Sequence, residues 1–219
     1  MESNGAQLVF LLEILLLATV VFMHLTKKNS SVVSAYMAQS IVVTALLLIS
    51  SSGEWKPSFL LLVAIIFLVK VLIAPRFFYT LIKKHELKFS GSTYLSTSLS
   101  LIVLAVLTAL TYSPLLQPFA ALFGKNQNAL LIAITMMLIS LFLVINRKGA
   151  LSQMMGILSL ENAIVSFALL AGLERSFPLQ LGILFDILIW VAIATVFVSM
   201  IYRQFGSLDV SAMKDLTEE

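Results

Sequence analysis

The sequence contains no cysteine, which excludes disulfides, thiolate metal sites and cysteine nucleophiles. It has only two histidines, His24 and His85, which are too few and too far apart in sequence to suggest a metal site. It also lacks a glycine-rich phosphate loop, a zinc motif and a nucleophile paired with a histidine base. These absences predict a chain with no cofactor, no metal and no catalytic site of its own.

Charged residues are scarce. They make up 11% of the sequence, against about 25% in a soluble domain. Hydrophobic residues make up 60%, and a water-soluble fold of this size could not cover that much apolar surface. The net charge of +3 does not indicate a nucleic-acid partner, because the basic residues lie in short loops between apolar runs. The composition predicts an integral membrane protein surrounded by lipid.

Seven stretches qualify as membrane spans, some of them marginally, since a helix needs about 20 apolar residues to cross the hydrocarbon core. The runs are unbroken rather than alternating in polarity, so strands of a barrel are not expected. The sequence therefore predicts an all-α, polytopic membrane helix bundle of about seven transmembrane helices. The predicted spans are Gln7–Thr26, Ser31–Ser51, Ser58–Ile82, Ser92–Tyr112, Asn128–Ile145, Ala150–Gly172 and Pro178–Tyr202.

The basic residues predict the orientation of these helices. Of the 14 lysines and arginines, Lys70 falls inside a span, three fall in loops on one side, and the rest fall on the other side. Because basic loops stay in the cytoplasm, the N-terminus is expected outside and the C-terminus inside. The richer side holds Lys27, Lys28, Arg76, Lys83, Lys84, Lys88, Arg147, Lys148, Arg203 and Lys214.

The chain divides into four predicted parts. Residues 1–113 form a four-helix membrane half, 114–127 a connecting loop with a short surface helix around Phe119–Phe123, 128–205 a three-helix unit, and 206–219 a cytoplasmic tail. Phe67–Ile73 can be aligned with Ile183–Ile189, which suggests an internal repeat in which helices one to three correspond to helices five to seven. Such repeats are common in transport folds. Chance is the alternative, since apolar sequences align readily.

Three ionisable residues lie deep inside predicted spans. Lys70 and Glu161 fall near the middle of their helices, and Asp186 is eight residues into the last one. An ionised group at such depth costs at least a few kcal/mol, so these groups should face each other or internal water. Glu13 is only six residues into the first predicted span and is expected to reach the outer interface.

Two interpretations of Lys70, Glu161 and Asp186 are open. Burial favours their neutral forms and a nearby opposite charge favours their charged forms. A group held between these tendencies can exchange protons near neutral pH, as a proton relay requires. The alternative is a fixed ion pair that locks helices together. Two acids and a lysine on three helices favour the relay.

Polar neighbours predict a hydrated interior. Ser159, Asn162 and Ser166 share one stripe of a helix, because residues three and four apart lie on the same face. Gln39 and Ser40 could face the same interior, and ordinary hydrogen bonding between helices is the alternative. Pro75 is a candidate hinge, since proline removes a backbone hydrogen bond and kinks a helix. A simple bend for packing is equally compatible with that residue.

The stretch Asn146–Asn162 resembles the middle helix of the K subunit of complex I and, more closely, the C subunit of multi-subunit sodium/proton antiporters. In both families a basic turn leads into a helix with a glycine and then a buried Glu, matched here by Gly156 and Glu161. Asp186 matches a second acid on the next helix, and the tail at 206–210 is also similar. The sequence differs from the complex I subunit at two positions. The second acid is Asp rather than Glu, and Leu158 occupies the position at which the complex I subunit has its Glu.

Over nearly its whole length the chain resembles hydrogenase-4 component E, through Lys70–Pro75 and Leu160–Asn162. This resemblance implies a non-catalytic subunit of a membrane-bound, nickel-iron hydrogenase-type complex in the prokaryotic inner membrane, such as formate hydrogenlyase. Its partners would be antiporter-like subunits and a membrane anchor subunit, and its buried acids would join a proton-translocation path. The alternatives are a subunit of a cation/proton antiporter without redox activity and a purely structural membrane scaffold.

Overall fold

The computed structural model describes residues 2–50, 57–84, 89 and 92–172, and these residues form helices joined by short turns. No extended strand occurs in this part of the chain. The α-helices are α1 (Glu2–Leu25), α2 (Asn29–Ser50), α3 (Pro57–Phe67), α4 (Ala74–Lys84), α5 (Thr97–Thr111), α6 (Gln117–Ala121), α7 (Gln127–Asn146) and α8 (Ala150–Leu170). A π-helical turn, Leu68–Ile73, joins α3 to α4, and a 3₁₀ turn, Gly124–Asn126, precedes α7.

The all-α, polytopic membrane fold predicted from the sequence is confirmed. Within the described residues, five helical segments are long and apolar enough to cross a membrane. They are α1, α2, the continuous segment from α3 to α4, α7 and α8. The predicted span at 178–202 lies outside the described residues, so the total of seven stays a prediction.

The predicted span Ser92–Tyr112 is longer than the helix found there. Helix α5 begins at Thr97 and has 15 residues, or about 22 Å at 1.5 Å per residue, less than the roughly 30 Å hydrocarbon core. The preceding segment is tied to the turn after α7 instead: Tyr94 N–H donates to the carbonyl of Asn146. The side chain of Ser96 then caps α5 by accepting a hydrogen bond from the backbone amide of Leu99.

The interior is a four-helix arrangement of α1, α2, α7 and α8. Helix α1 packs against α2 and α7, and α8 packs against α2 and α7. The segment α3–α4 lies against α2, and α5 lies against α7. A buried apolar core from these helices includes Leu16, Val43, Met136, Ile139 and Ala163. The outer faces of α1, α3 and α5 carry exposed leucine, isoleucine and phenylalanine, as expected of surfaces that contact lipid or another membrane subunit.

Short turns meet at one end of the bundle, which we call the basic end because Lys27, Lys28 and Arg147 lie there. Lys28 pairs with Phe89, and Thr93 pairs with Arg147, each through an isolated backbone bridge. The turns after α1 and after α7 each connect two long helices, as the predicted repeat requires. The third member of the second repeat lies outside the described residues, so the repeat stays a prediction.

The connection between the two predicted halves contains a short helix, as expected. Helix α6 spans Gln117–Ala121, two residues before the predicted position of Phe119–Phe123. Pro118 is at the start of this helix, where its missing N–H leaves no hydrogen bond unmade. Phe119 and Phe123 contact Phe167 of α8, so α6 lies against the end of α8 opposite the basic end.

Gly156 allows a close approach of α7 to α8. A Cβ atom at this position would lie 2.8 Å from Cγ2 of Val144 and 3.1 Å from its backbone nitrogen. We expect Gly156→Ala to lower the free energy of unfolding by about 1–3 kcal/mol, because an added methyl group forces two packed backbones apart. Thermal unfolding in detergent measures this. Gly5→Ala is the matched control, since nothing lies within 4 Å of its added atom. Equal midpoints for the two variants would contradict the close approach.

Candidate functional site

Lys70 lies in the π-helical turn between α3 and α4, where Pro75 disturbs the helical hydrogen bonding. Proline has no N–H to donate, and the preceding residue, Ala74, donates to the carbonyl of Val69, five residues back. A π turn is a common response to such a break and is frequent at functional sites. Pro75 is buried, and its role as a hinge stays a prediction. The turn places the Lys70 side chain inside the bundle, with an exposed fraction of 1%.

The ammonium group of Lys70 contacts two side chains of α8. Its Nζ lies 2.9 Å from Oε1 of Glu161 and donates a hydrogen bond of 2.8 Å to Oδ1 of Asn162. Glu161 is 14% exposed and Lys70 is 1% exposed. The two charges therefore neutralise each other at a depth where either alone would cost several kcal/mol.

Asn162 connects this ion pair to α2. Its amide nitrogen donates to Oε1 of Gln39 at 3.2 Å and to Oγ of Ser40 at 3.3 Å. With both donors engaged on α2, the carbonyl oxygen of Asn162 is left to accept from Lys70. All three polar side chains are fully buried. Gln39 and Ser40 thus lie in the bundle interior and contact Asn162, and their part in a proton path stays a prediction.

The polar network continues from Gln39 to α7. Gln39 donates from Nε2 to Oγ of Ser159 at 3.0 Å, and Ser159 shares a hydrogen bond of 2.8 Å with Ser140. Lys70, Asn162, Gln39, Ser159 and Ser140 thus form one chain of side-chain hydrogen bonds across four helical segments. Ser140 was not singled out from the sequence, because a lone serine in an apolar helix gives no periodic signal.

Glu13 is also buried, and the expectation that it reaches the outer interface is wrong. Helix α1 starts at Glu2, five residues before the predicted span, so Glu13 falls near the middle of its 24 residues. Its side chain has no exposed surface. Ser166 of α8 donates a hydrogen bond to Oε1 of Glu13. Ser166, predicted beside Glu161 and Asn162, therefore contacts a different acid, one turn beyond Asn162.

Asp186, the third predicted member of the proton path, lies outside the described residues. Its position relative to Lys70 and Glu161 stays a prediction. The stripe predicted on α8 is present, since Ser159, Asn162 and Ser166 are all fully buried.

Arg147 has a role at the basic end that charge counting did not indicate. Its guanidinium donates to the backbone carbonyls of Met23, His24 and Thr26, at 2.6, 3.0 and 2.7 Å. The carbonyls in the last turn of a helix have no partner within the helix, so Arg147 caps α1. Burial lowers the pKa of Arg147 from its ordinary value, but arginine stays protonated at neutral pH.

The region that carries Glu161 also matches a known family. Residues 128–218 match the model of NADH-ubiquinone/plastoquinone oxidoreductase chain 4L. The match covers less than half of the 219-residue chain and includes nearly all of α7, the whole of α8, and Asp186. The C-terminal part of this multi-pass membrane protein is therefore similar to chain 4L, a membrane subunit of an oxidoreductase complex.

A curated relative extends the comparison. An uncharacterized protein of Mycobacterium tuberculosis is 33% identical over 124 residues, which make up 56% of each chain. The chain thus spans just over half the length of this relative. No solved structure matches the sequence.

Proposed function

We propose that the protein is a membrane subunit of a respiratory complex related to complex I and moves protons through its buried acids and lysine. In this proposal Lys70, Glu161 and Asp186 carry the protons. The chain has no catalytic role, and redox centres belong to partner chains. The observation that carries the proposal is the ion pair between Lys70 and Glu161, buried at mid-depth and continued by hydrogen bonds through Asn162 and Gln39.

The chemistry of the pair suits proton transfer. A proton that reaches Glu161 neutralises it, which removes the partner charge of Lys70 and makes the buried ammonium unfavourable. Lys70 can then give up a proton to the next acceptor. Transfer of the proton from Glu161 to the neutral Lys70 then restores the ion pair, so that one proton has entered at Glu161 and one has left from Lys70. The carbonyl oxygen of Asn162 faces Lys70 because its amide nitrogen donates to Gln39 and Ser40, so it can accept a hydrogen bond from Lys70 in either protonation state.

The finer assignment rests on the sequence resemblance. The stretches Lys70–Pro75 and Leu160–Asn162 are similar to hydrogenase-4 component E. We therefore propose a hydrogenase-type parent complex in a prokaryotic cytoplasmic membrane, with this chain between a membrane anchor subunit and antiporter-like subunits. The match of residues 128–218 to chain 4L supports membership of the wider group of complexes.

Two substitutions test the proton path. We expect Glu161→Gln and Asp186→Asn to leave the complex assembled and to lower proton translocation about tenfold or more, because positioned acids and bases contribute at least that much to proton transfer. Translocation is measured in inverted vesicles without sodium, with assembly checked by co-purification. Ser34→Ala, an exposed position on α2, is the control. Unchanged translocation in both acid variants would rule the path out.

The composition of the purified complex separates the alternatives. Nickel and iron in co-purifying chains support the hydrogenase-type assignment, whereas cation/proton exchange by a complex without redox centres supports the antiporter subunit. The scaffold alternative gains support from the fact that an ion pair alone can hold helices together. It predicts assembly defects in the acid variants rather than loss of transport.

A further inference from the structure

Glu13 is a buried acid that the proposed proton path does not use. It lies on α1, faces α8 and accepts a hydrogen bond from Ser166 on Oε1. Its second oxygen, Oε2, is buried and has no hydrogen-bond partner among the described residues. Ser166 follows Asn162 by four residues on α8, so Glu13 lies one helical turn farther from the basic end than the contact between Lys70 and Asn162.

No positive charge in the described part of the chain balances Glu13. Helix α1 packs mainly against α2, α5 and α7 and contacts α8 through Ser166, and the only titratable side chains of these four helices are Tyr36 and Glu161. His24, on α1 itself, is three turns away at the basic end, where its Nε2 contacts the carbonyl of Ile139. Lys70 is paired with Glu161.

This environment suits a carboxyl group that holds a proton. A bare carboxylate buried without a counter-charge is strongly unfavourable, whereas a neutral carboxyl group keeps the Ser166 hydrogen bond on Oε1 and carries its proton on Oε2. Loss of that proton leaves a carboxylate that one hydroxyl still stabilises. Ser166 can therefore donate to Glu13 in both protonation states.

We propose that Glu13 is a second proton-binding site, which exchanges a proton on the side of the Lys70–Glu161 pair away from the basic end. The inference extends the proposed function, since such a site would continue the path along α8. Its test is separate, because it observes the proton on Glu13 and not transport by the complex.

Infrared difference spectroscopy of the full-length protein in vesicles tests the site directly. A protonated carboxyl group gives a C=O stretching band that shifts in heavy water if the proton exchanges. We expect such a band in the parent protein, its loss in Glu13→Gln, and its retention in Glu161→Gln. A band that persists in Glu13→Gln, or that heavy water does not move, would overturn the proposal.

Ser166→Ala provides a second, independent test of the infrared assignment, because this variant keeps Glu13. Removing the hydroxyl removes the hydrogen bond on the carbonyl oxygen, so the Glu13 band should move to higher frequency without disappearing. Ser113→Ala, at a serine outside this site, should leave the band where it is. An unmoved band in Ser166→Ala would contradict the assignment of the proton to Glu13. Loss of transport in Glu161→Gln without a Glu13 band would refute this site and leave the proposed function standing.

Discussion

Replacing Lys70 by methionine is expected to lower the free energy of unfolding by about 3–5 kcal/mol. The ammonium group lies 2.9 Å from Glu161 and donates to Asn162. Removing it leaves a buried carboxylate without its counter-charge and an amide oxygen without its donor. Reversible unfolding in detergent micelles measures the change. Lys84→Met, at an exposed position in the last turn of α4, removes the same charge and should change the free energy by less than about 1 kcal/mol.

The double variant Lys70→Met with Glu161→Gln identifies the cause. If the loss comes from an uncompensated charge, neutralising Glu161 as well should recover most of the stability, because apolar replacement of a buried ion pair is often neutral. The coupling energy of such a cycle should be about 3 kcal/mol or more, at the upper end of the range for residues in direct contact. Additive effects of the two substitutions would show that the side chains do not interact.

Replacing Arg147 by methionine is expected to cost about 3–5 kcal/mol, the second large effect. Arg147 is 2% exposed, and its guanidinium donates to three backbone carbonyls at the end of α1. Each hydrogen bond from a charged donor contributes about 1.5–3 kcal/mol, and buried acceptors left without a donor add to the loss. Amide hydrogen exchange should speed up most in the last turn of α1.

Two variants control the Arg147 prediction. Arg147→Lys keeps the charge but replaces the guanidinium nitrogen Nη2, which contacts all three carbonyls, with an ammonium group on a shorter stem. It should therefore recover only part of the stability. Lys148→Met removes the neighbouring charge, whose Nζ lies 4.9 Å from the centre of the Tyr94 ring, and should cost about 1 kcal/mol or less. Full recovery by lysine would show that charge alone, and not the geometry of the three carbonyl contacts, stabilises this end.

The sequence predicted the helices better than their ends. Unbroken apolar runs indicated every membrane-spanning helix in the described residues, because nothing else satisfies the backbone in lipid. Hydropathy could not show where Ser92–Leu95 leaves the helical pattern, since that depends on hydrogen bonds to Asn146, far along the chain. Hydropathy also could not show that α1 begins at Glu2, before its apolar run. The depth of Glu13 was therefore missed.

The candidate site was predicted in its residue types and only partly in its contacts. The rarity of charge in membrane helices was enough to single out Lys70 and Glu161, and helical spacing grouped Ser159, Asn162 and Ser166. The sequence could not show that Asn162 would bind Lys70 and Gln39 together, or that Ser166 would face α1. Those contacts depend on which helices are neighbours and on their rotation, which apolar surfaces specify weakly.

Proton translocation by the double variant Lys70→Met with Glu161→Gln tests the central claim most directly. This variant should assemble and unfold much like the parent protein, since its buried charges are removed together. If the pair carries protons, translocation should nevertheless stay about tenfold or more below the parent. Translocation at the parent level would contradict the account, because the ion pair would then serve only to join the helices.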